Sequence, residues 1–142
     1  MSKQPFEPST TAVLIVDLQN DFLHAKGAYG RSGTSNPDIA ALPSKVRPLL
    51  DVVREAGGWI ISTQFTLVPG KKGEPLISDH LKKLRPFLTK GDFKPSGWGH
   101  SLIEELKPAD ITIEKVAYSA FYQSRLDFAI NRAGIKTLMV CG

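Results

Sequence analysis

The chain has 142 residues and one cysteine, 42% of its residues are hydrophobic, and its formal net charge is +4. This length suffices for one domain with its own core, and the composition is that of a folded globular protein rather than a disordered or membrane-spanning one. The single cysteine excludes an internal disulfide framework. Together with an N-terminus that lacks the pattern of a signal peptide, it indicates a reducing compartment, the cytoplasm.

Much of the excess positive charge is concentrated between residues 79 and 94. No aromatic ladder or nucleic-acid-binding motif accompanies this charge, which favours a solvated face or an attractor for anionic substrates over nucleic-acid binding. The cations of this segment are Lys82, Lys83, Arg85, Lys90 and Lys94, and its acids are Asp79 and Asp92.

The first predicted strand spans residues 12–16, AVLIV, a run of apolar residues too short for a helix. Such a run is typical of a strand that is buried on both faces in a parallel sheet. The strand ends at Asp17, and in open α/β sheets ligands bind beyond the carboxyl ends of the strands. Asp17 is therefore either a catalytic carboxylate or an ordinary turn or capping residue.

The long segment 19–43 is predicted to be a functional loop such as a lid or an oligomer contact. A helix and a second strand follow it and complete a βαβ unit with the first strand. The helix is predicted over residues 44–56, because Val46, Leu49, Leu50 and Val53 form one apolar stripe. Pro48 is tolerable only in the first turn of this helix. Residues 59–63, WIIST, are the second strand, so the sheet is predicted to be parallel.

Beyond residue 64 the chain is irregular as far as residue 108, with short helices predicted at 76–84 and 101–106. The third strand is predicted at residues 110–115, a helix at 119–133 and the fourth strand at 135–140. Lys115 lies at the end of the third strand, at the same sheet edge as Asp17. A lysine there either faces solvent or forms an Asp–Lys pair that supports a catalytic base.

Four ordered motifs resemble the isochorismatase-like cysteine hydrolases. They are VLIVDLQNDF at residues 13–22, the segment 97–106, EKVAYSAF at 114–121 and NRAGIKTLMVCG at 131–142. The resemblance extends from about residue 11 to residue 142. It implies an α/β fold, a Rossmann-like three-layer α/β/α architecture with a parallel sheet of six strands.

The resemblance also implies a triad of Asp, Lys and Cys. Asp17 would be the general base, and Lys115 would be the cation that stabilises the charged triad. The thiolate would attack an amide or ureide carbonyl, ammonia or an amine would leave, and water would cleave the thioester. Phe22, Gln64, Tyr118 and Phe121 match positions that line the substrate pocket of the family.

The sequence departs from the family pattern at the nucleophile. The family's cysteine lies in a motif G-x-x-T-x-x-C, whose glycine corresponds to Gly142, so Cys141 is expected to be a buried strand residue rather than the nucleophile. Residues 1–142 are therefore expected to be a single domain that is incomplete at its C-terminus and inactive by itself. The fourth strand would then be an uncovered, aggregation-prone sheet edge.

Three functions remain open at this point. The first is an amidohydrolase that cleaves a C–N bond of a small amide, carbamoyl or ureide compound. The second is an isochorismatase that hydrolyses a vinyl ether without a cysteine, and the third is an inactive relative that assembles with a partner. No cofactor or metal is expected, because His24, His80 and His100 lack the spacing of the metal-dependent nicotinamidases. The resemblance implies a homo-oligomer, a dimer or tetramer.

Overall fold

A computed structural model describes residues 7–142. Within this part of the chain, four strands and six α-helices form, with 3₁₀ helices at Pro8–Thr10 and Glu104–Leu106. The strands are β1 (Thr11–Val16), β2 (Trp59–Phe65), β3 (Ile111–Lys115) and β4 (Thr137–Cys141). The helices are α1 (Asn20–Leu23), α2 (Ala28–Arg31), α3 (Pro37–Ala40), α4 (Leu42–Glu55), α5 (Asp79–Leu84) and α6 (Leu126–Arg132).

The strands form one parallel sheet in the order β3-β2-β1-β4. In its register, Val16 lies beside Thr63 and Phe65 lies beside Lys115. The carboxyl ends of β1, β2 and β3 therefore meet at one edge of the sheet. All four strands were predicted, as was the parallel arrangement, and the α/β architecture is confirmed.

Helices cover both faces of the sheet and give a three-layer structure. On one face, Val13 and Ile15 pack with the apolar side of α4. On the other face, Ala12 and Leu14 pack with Leu126 of α6. Alternate residues of a strand point to opposite faces, so both faces of β1 are buried, as its unbroken apolar run predicts.

Helix α4 begins two residues earlier than predicted, and Pro48 therefore lies inside the helix rather than in its first turn. The predicted apolar stripe packs on the sheet through Val46, Leu50 and Val53, whereas Leu49 is partly exposed. The position of Pro48 explains how the helix tolerates it. Pro48 is exposed, so the backbone carbonyl of residue 44, which has no helical partner there, faces the solvent side.

The last helix is much shorter than the predicted 119–133. Residues 119–125 form turns instead, because Gln123 has a φ of +48°, in the left-handed region that ends a right-handed helix. The hydroxyl of Ser124 also accepts a hydrogen bond from the backbone N–H of Leu126. A serine that bonds its neighbouring backbone in this way competes with the helical hydrogen bonds.

The long segment 19–43 is more ordered than a plain loop, because it contains α1, α2 and α3. The buried carboxylate of Asp21 fixes this segment by accepting hydrogen bonds from the backbone N–H groups of Ala28 and Phe93. These bonds place α1 and α2 against the irregular segment that follows β2. Within residues 7–142, none of the helices combines the length and apolar character that crossing a bilayer requires.

Candidate active site

An ion pair between Asp17 and Lys115 lies at the carboxyl edge of the sheet. The Nζ atom of Lys115 is 2.8 Å from Oδ2 of Asp17, and the two side chains are 4% and 19% exposed. Lys115 is buried because it continues the inward face of β3 that Ile111 and Ile113 begin. The alternative in which Lys115 faces solvent is therefore wrong, and the two residues that the sequence placed at one edge are in contact.

Thr63 of β2 holds Asp17 from the side opposite to Lys115. Its hydroxyl donates to Oδ1 of Asp17 at 2.7 Å and accepts from the backbone N–H of Asp17 at 3.1 Å. Asp17 has a φ of +57°, a conformation that is uncommon outside glycine and is most often adopted by Asn and Asp. The carboxylate therefore contacts Thr63 and Lys115 rather than capping a helix, and both of its oxygens are held.

Sequence reasoning missed Thr63, although one signal for it existed. In a parallel sheet whose second strand follows the first in register, the last residues of the two strands lie side by side. Thr63 is thereby brought next to the residue that follows Val16. The strand pattern alone does not specify this register, so it did not reveal the contact.

The ammonium group of Lys115 has three oxygen partners. Besides Asp17, it donates to the carbonyl oxygens of Ala117 at 3.1 Å and Tyr118 at 3.3 Å. It also lies 5.7 Å from the centroid of the Phe65 ring, within the range of a cation–π contact. These contacts fix the cation, so Lys115 can stabilise a charge on Asp17 or on a group that approaches it.

A cavity of about 280 Å³ opens above the ion pair. Phe22 and Tyr118, two of the predicted pocket residues, line it together with Asp17 and Lys115. Phe22 packs against the ring of Phe65, whereas Tyr118 is largely exposed at the rim. The remaining lining residues come mainly from α2, α5 and the segments that flank them: Tyr29, Ser78, His80, Leu81, Leu84, Arg85 and Leu88.

The structure does not bring Gln64 and Phe121 to this cavity. Gln64 precedes Phe65 on β2, and since neighbouring strand residues point to opposite faces, its side chain lies on the other side of the sheet. There it lines a separate cavity with His100. Phe121 is half-exposed in the turns that replace the predicted helix start. These two predicted pocket residues thus lie away from the cavity above the ion pair, and their predicted contact with substrate stays a prediction.

Cys141, the free thiol of the described residues, lies in β4 and packs against the core on the α4 side of the sheet. It does not line the cavity above the ion pair. Burial raises the pKa of its thiol above the ordinary value, which disfavours the nucleophilic thiolate. This placement agrees with a structural cysteine.

A second cavity, of about 320 Å³, reaches Asp17 from the β4 side and is lined by Gly142. Gly142 has a φ of +134°, and a Cβ atom there would lie 2.2 Å from the carbonyl oxygen of Val16. Only glycine fits this close approach to the end of β1. The backbone at Gly142 is thus adjacent to the strand end that carries Asp17.

The three histidines lie at separate places in the structure. His24 packs edge-on against Trp98, His80 lines the cavity above the ion pair, and His100 is buried beside the hydroxyl of Thr66. Burial lowers the pKa of His100, an effect that the nearby carboxylates of Glu114 and Asp21 oppose. Across residues 7–142, no group of three His, Cys, Asp or Glu side chains is arranged to hold a metal ion.

Comparison with known proteins adds independent information. The family sequence model that describes the isochorismatase domain matches residues 11–142 of this chain. The ureidoacrylate amidohydrolase RutB of Caulobacter segnis is 32% identical over 149 residues, which cover 97% of this chain and 62% of that protein. The chain thus spans about three fifths of the length of this curated relative.

Two solved structures show the same fold. A cysteine hydrolase from Pseudomonas syringae pv. phaseolicola 1448A superposes with a TM-score of 0.76 at 25% identity, covering 100% of this chain and 65% of that one. An N-carbamoylsarcosine amidase from Thermoplasma acidophilum gives a TM-score of 0.67 at 22% identity, covering 94% and 67%. The chain therefore covers about two thirds of each of these two longer chains, which share its fold.

Proposed function

The chain belongs to the isochorismatase family, and on that premise we propose that the whole protein hydrolyses a C–N bond of a small amide, carbamoyl or ureide substrate. The observation that carries the proposal is the buried ion pair of Lys115 and Asp17 at the floor of a substrate-sized cavity. The curated relative named above is an amidohydrolase, and the most similar of the two structures is a cysteine hydrolase, which supports the same reaction class.

Asp17 is the proposed general base. The nucleophile is a cysteine that follows Gly142 in the whole protein, where the family motif continues. Asp17 removes the proton of this thiol, and the thiolate attacks the carbonyl carbon while backbone N–H groups bind the oxyanion. The C–N bond then breaks, and the leaving nitrogen takes the proton from Asp17. Ammonia or an amine departs, and an acyl group remains on sulfur.

Water completes the cycle. Asp17 accepts a proton from the water as its oxygen attacks the thioester, or the thiocarbamate in the case of a ureide. The C–S bond breaks, the proton returns to the thiolate, and an acid is released. The bonds of Lys115 to the carbonyl oxygens of Ala117 and Tyr118 hold its Nζ beside the carboxylate throughout the cycle. The hydroxyl of Thr63 keeps the carboxyl group of Asp17 in a fixed orientation as Asp17 gains and loses the proton.

The pocket and assembly are part of the same proposal. Phe22 and Tyr118, which line the cavity above the ion pair, contact the substrate. The enzyme is a cytoplasmic homo-oligomer, and residues 1–142 are one domain that the whole protein extends. The small-molecule substrate needs no cofactor, because the Asp, Lys and Cys groups supply the base, the charge and the nucleophile.

A substrate screen with the full-length protein tests this function. We expect ammonia release, followed with a coupled glutamate dehydrogenase assay, from at least one class among primary amides, carbamoyl amino acids and ureides. Hydrolysis of a vinyl ether without ammonia would instead support an isochorismatase. Absence of turnover across all these classes, with a folded protein, would support an inactive assembly partner.

A further inference from the structure

The cavity above Asp17 contains a positive charge that the proposed reaction does not use. Arg85, the residue after α5, lines this cavity together with Asp17 and Lys115. Asp17 is the one carboxylate among the described lining residues, and it is already paired with Lys115. Within residues 7–142, no carboxylate lies within salt-bridge distance of Arg85. The cavity therefore has a net positive charge at Arg85.

Arg85 is also held in a fixed orientation. Its Nε donates to the hydroxyl of Tyr29 at 2.9 Å, and its Nη1 donates to the carbonyl oxygen of Leu84 at 3.0 Å. Its Cζ lies 5.8 Å from the centroid of the Tyr29 ring. A guanidinium group has five N–H donors in a planar fork, so about three remain after these two bonds. A carboxylate is the acceptor that such a fork binds best.

A row of aromatic rings connects Arg85 with the ion pair. Tyr29 lies 4.9 Å from Phe22 between ring centroids, and Phe22 lies 6.0 Å from Phe65. Phe65 in turn contacts the ammonium group of Lys115. The cavity therefore has a reactive polar end at Asp17, an apolar wall and a cationic end at Arg85. This arrangement fits a molecule with a polar group at each end and a short apolar spacer.

We infer that Arg85 is a specificity-determining residue that binds the carboxylate of an amide or ureide substrate whose scissile group lies at Asp17 and Lys115. Tyr29 positions the guanidinium group through its hydroxyl and its ring face. The inference rests on the proposed function and deepens it, because it selects anionic substrates, such as ureido acids and dicarboxylic acid monoamides, over neutral ones. It also assigns a specific role to one cation of the basic segment 79–94.

Matched substrate pairs test the inference with the full-length protein. Each pair has one anionic compound and a neutral compound of similar shape: 3-ureidopropanoate with 3-methylbutylurea, and succinamate with 4-methylpentanamide. We expect the wild-type protein to prefer the anionic member of a pair by at least about tenfold in kcat/KM. In Arg85→Gln, KM for the anionic member rises about 10- to 100-fold, whereas kcat and the KM of the neutral member stay within about threefold.

Lys82→Gln is the control, because it removes one positive charge from the same helix without removing a side chain that lines the cavity. Lys82 lies on the same helix, is exposed and does not line the cavity above Asp17. We expect it to leave both KM values within twofold, and Arg85→Lys to give an intermediate KM for the anion. A similar rise of KM in Lys82→Gln and Arg85→Gln, or an equal rise for both members of a pair, would overturn the assignment. So would a wild-type protein that has no preference in either pair.

Binding measurements distinguish a failure of this inference from a failure of the proposed function. If neither member of a pair is hydrolysed, calorimetric titration decides: tighter binding of the anion that is lost in Arg85→Gln supports the inference, and equal binding overturns it. Ammonia release from neutral and anionic members alike would leave the proposed function intact and refute the role of Arg85. Binding of the anion through Arg85 without any ammonia release would refute the proposed function alone.

Discussion

Replacement of Thr63 by valine removes one hydroxyl group from the site with little change of volume. That hydroxyl makes two bonds to Asp17, one to the carboxylate at 2.7 Å and one to the backbone N–H at 3.1 Å. A hydrogen bond to a charged group contributes about 1.5–3 kcal/mol. Since each 1.36 kcal/mol of barrier changes a rate about tenfold, we expect kcat of Thr63→Val to fall about 10- to 100-fold.

The backbone conformation of Asp17 makes this residue sensitive to the loss of the Thr63 hydroxyl. A left-handed conformation costs about 1–2 kcal/mol for a residue with a side chain, and the bond from its N–H to Thr63 helps to hold it. Steady-state ammonia release by the full-length protein measures kcat, and circular dichroism checks the fold. The control is Thr63→Ser, which keeps the hydroxyl and should retain kcat within about threefold. A Thr63→Val protein with wild-type kcat would refute the positioning role of Thr63.

Two further predictions concern groups outside the cavity. Because burial lowers the pKa of His100, the folded protein binds fewer protons there than the unfolded chain. The contribution of neutral His100 to the free energy of unfolding is therefore fully present above the ordinary histidine pKa of about 6.5. It declines as the pH falls below that value. Urea unfolding at pH 7.5 and 5.5 should show this decline, and His100→Gln should reduce it; an identical decline in both proteins would contradict the reasoning. Because burial raises the pKa of Cys141, iodoacetamide should modify it more slowly at pH 8 than a cysteine in an unstructured peptide, as mass spectrometry would show. Cys141→Ala should retain ammonia release, and loss of turnover in a folded variant would assign Cys141 a role in the reaction.

The sheet and its ion pair were predictable because they depend on local pattern and strand order. The unbroken apolar run of β1 indicates burial on both faces, and the alternation in β3 places Lys115 on the same side as Ile113. Parallel strands end at the same edge, so Asp17 and Lys115 were expected to be near each other.

The wall of the cavity was not predictable from local pattern. Tyr29 and Arg85 come from segments that proline and glycine interrupt, and their contact depends on how Asp21 ties those segments together. Gln64 was assigned to the pocket from the family motif alone, without considering which face of β2 its side chain occupies, and it lines a separate cavity. Once Thr63 faces Asp17, Phe65 shares that face, and Gln64 must point away.

The replacement Asp17→Asn tests the central claim most directly. Asparagine keeps the shape of the side chain and can still accept a hydrogen bond from Lys115, but it cannot take up the proton that the reaction transfers. We predict that full-length Asp17→Asn keeps the wild-type circular dichroism spectrum and loses ammonia release at least about 1,000-fold, within the range of 10²–10⁴ for general base catalysis. Wild-type ammonia release by the folded Asp17→Asn protein would contradict the account.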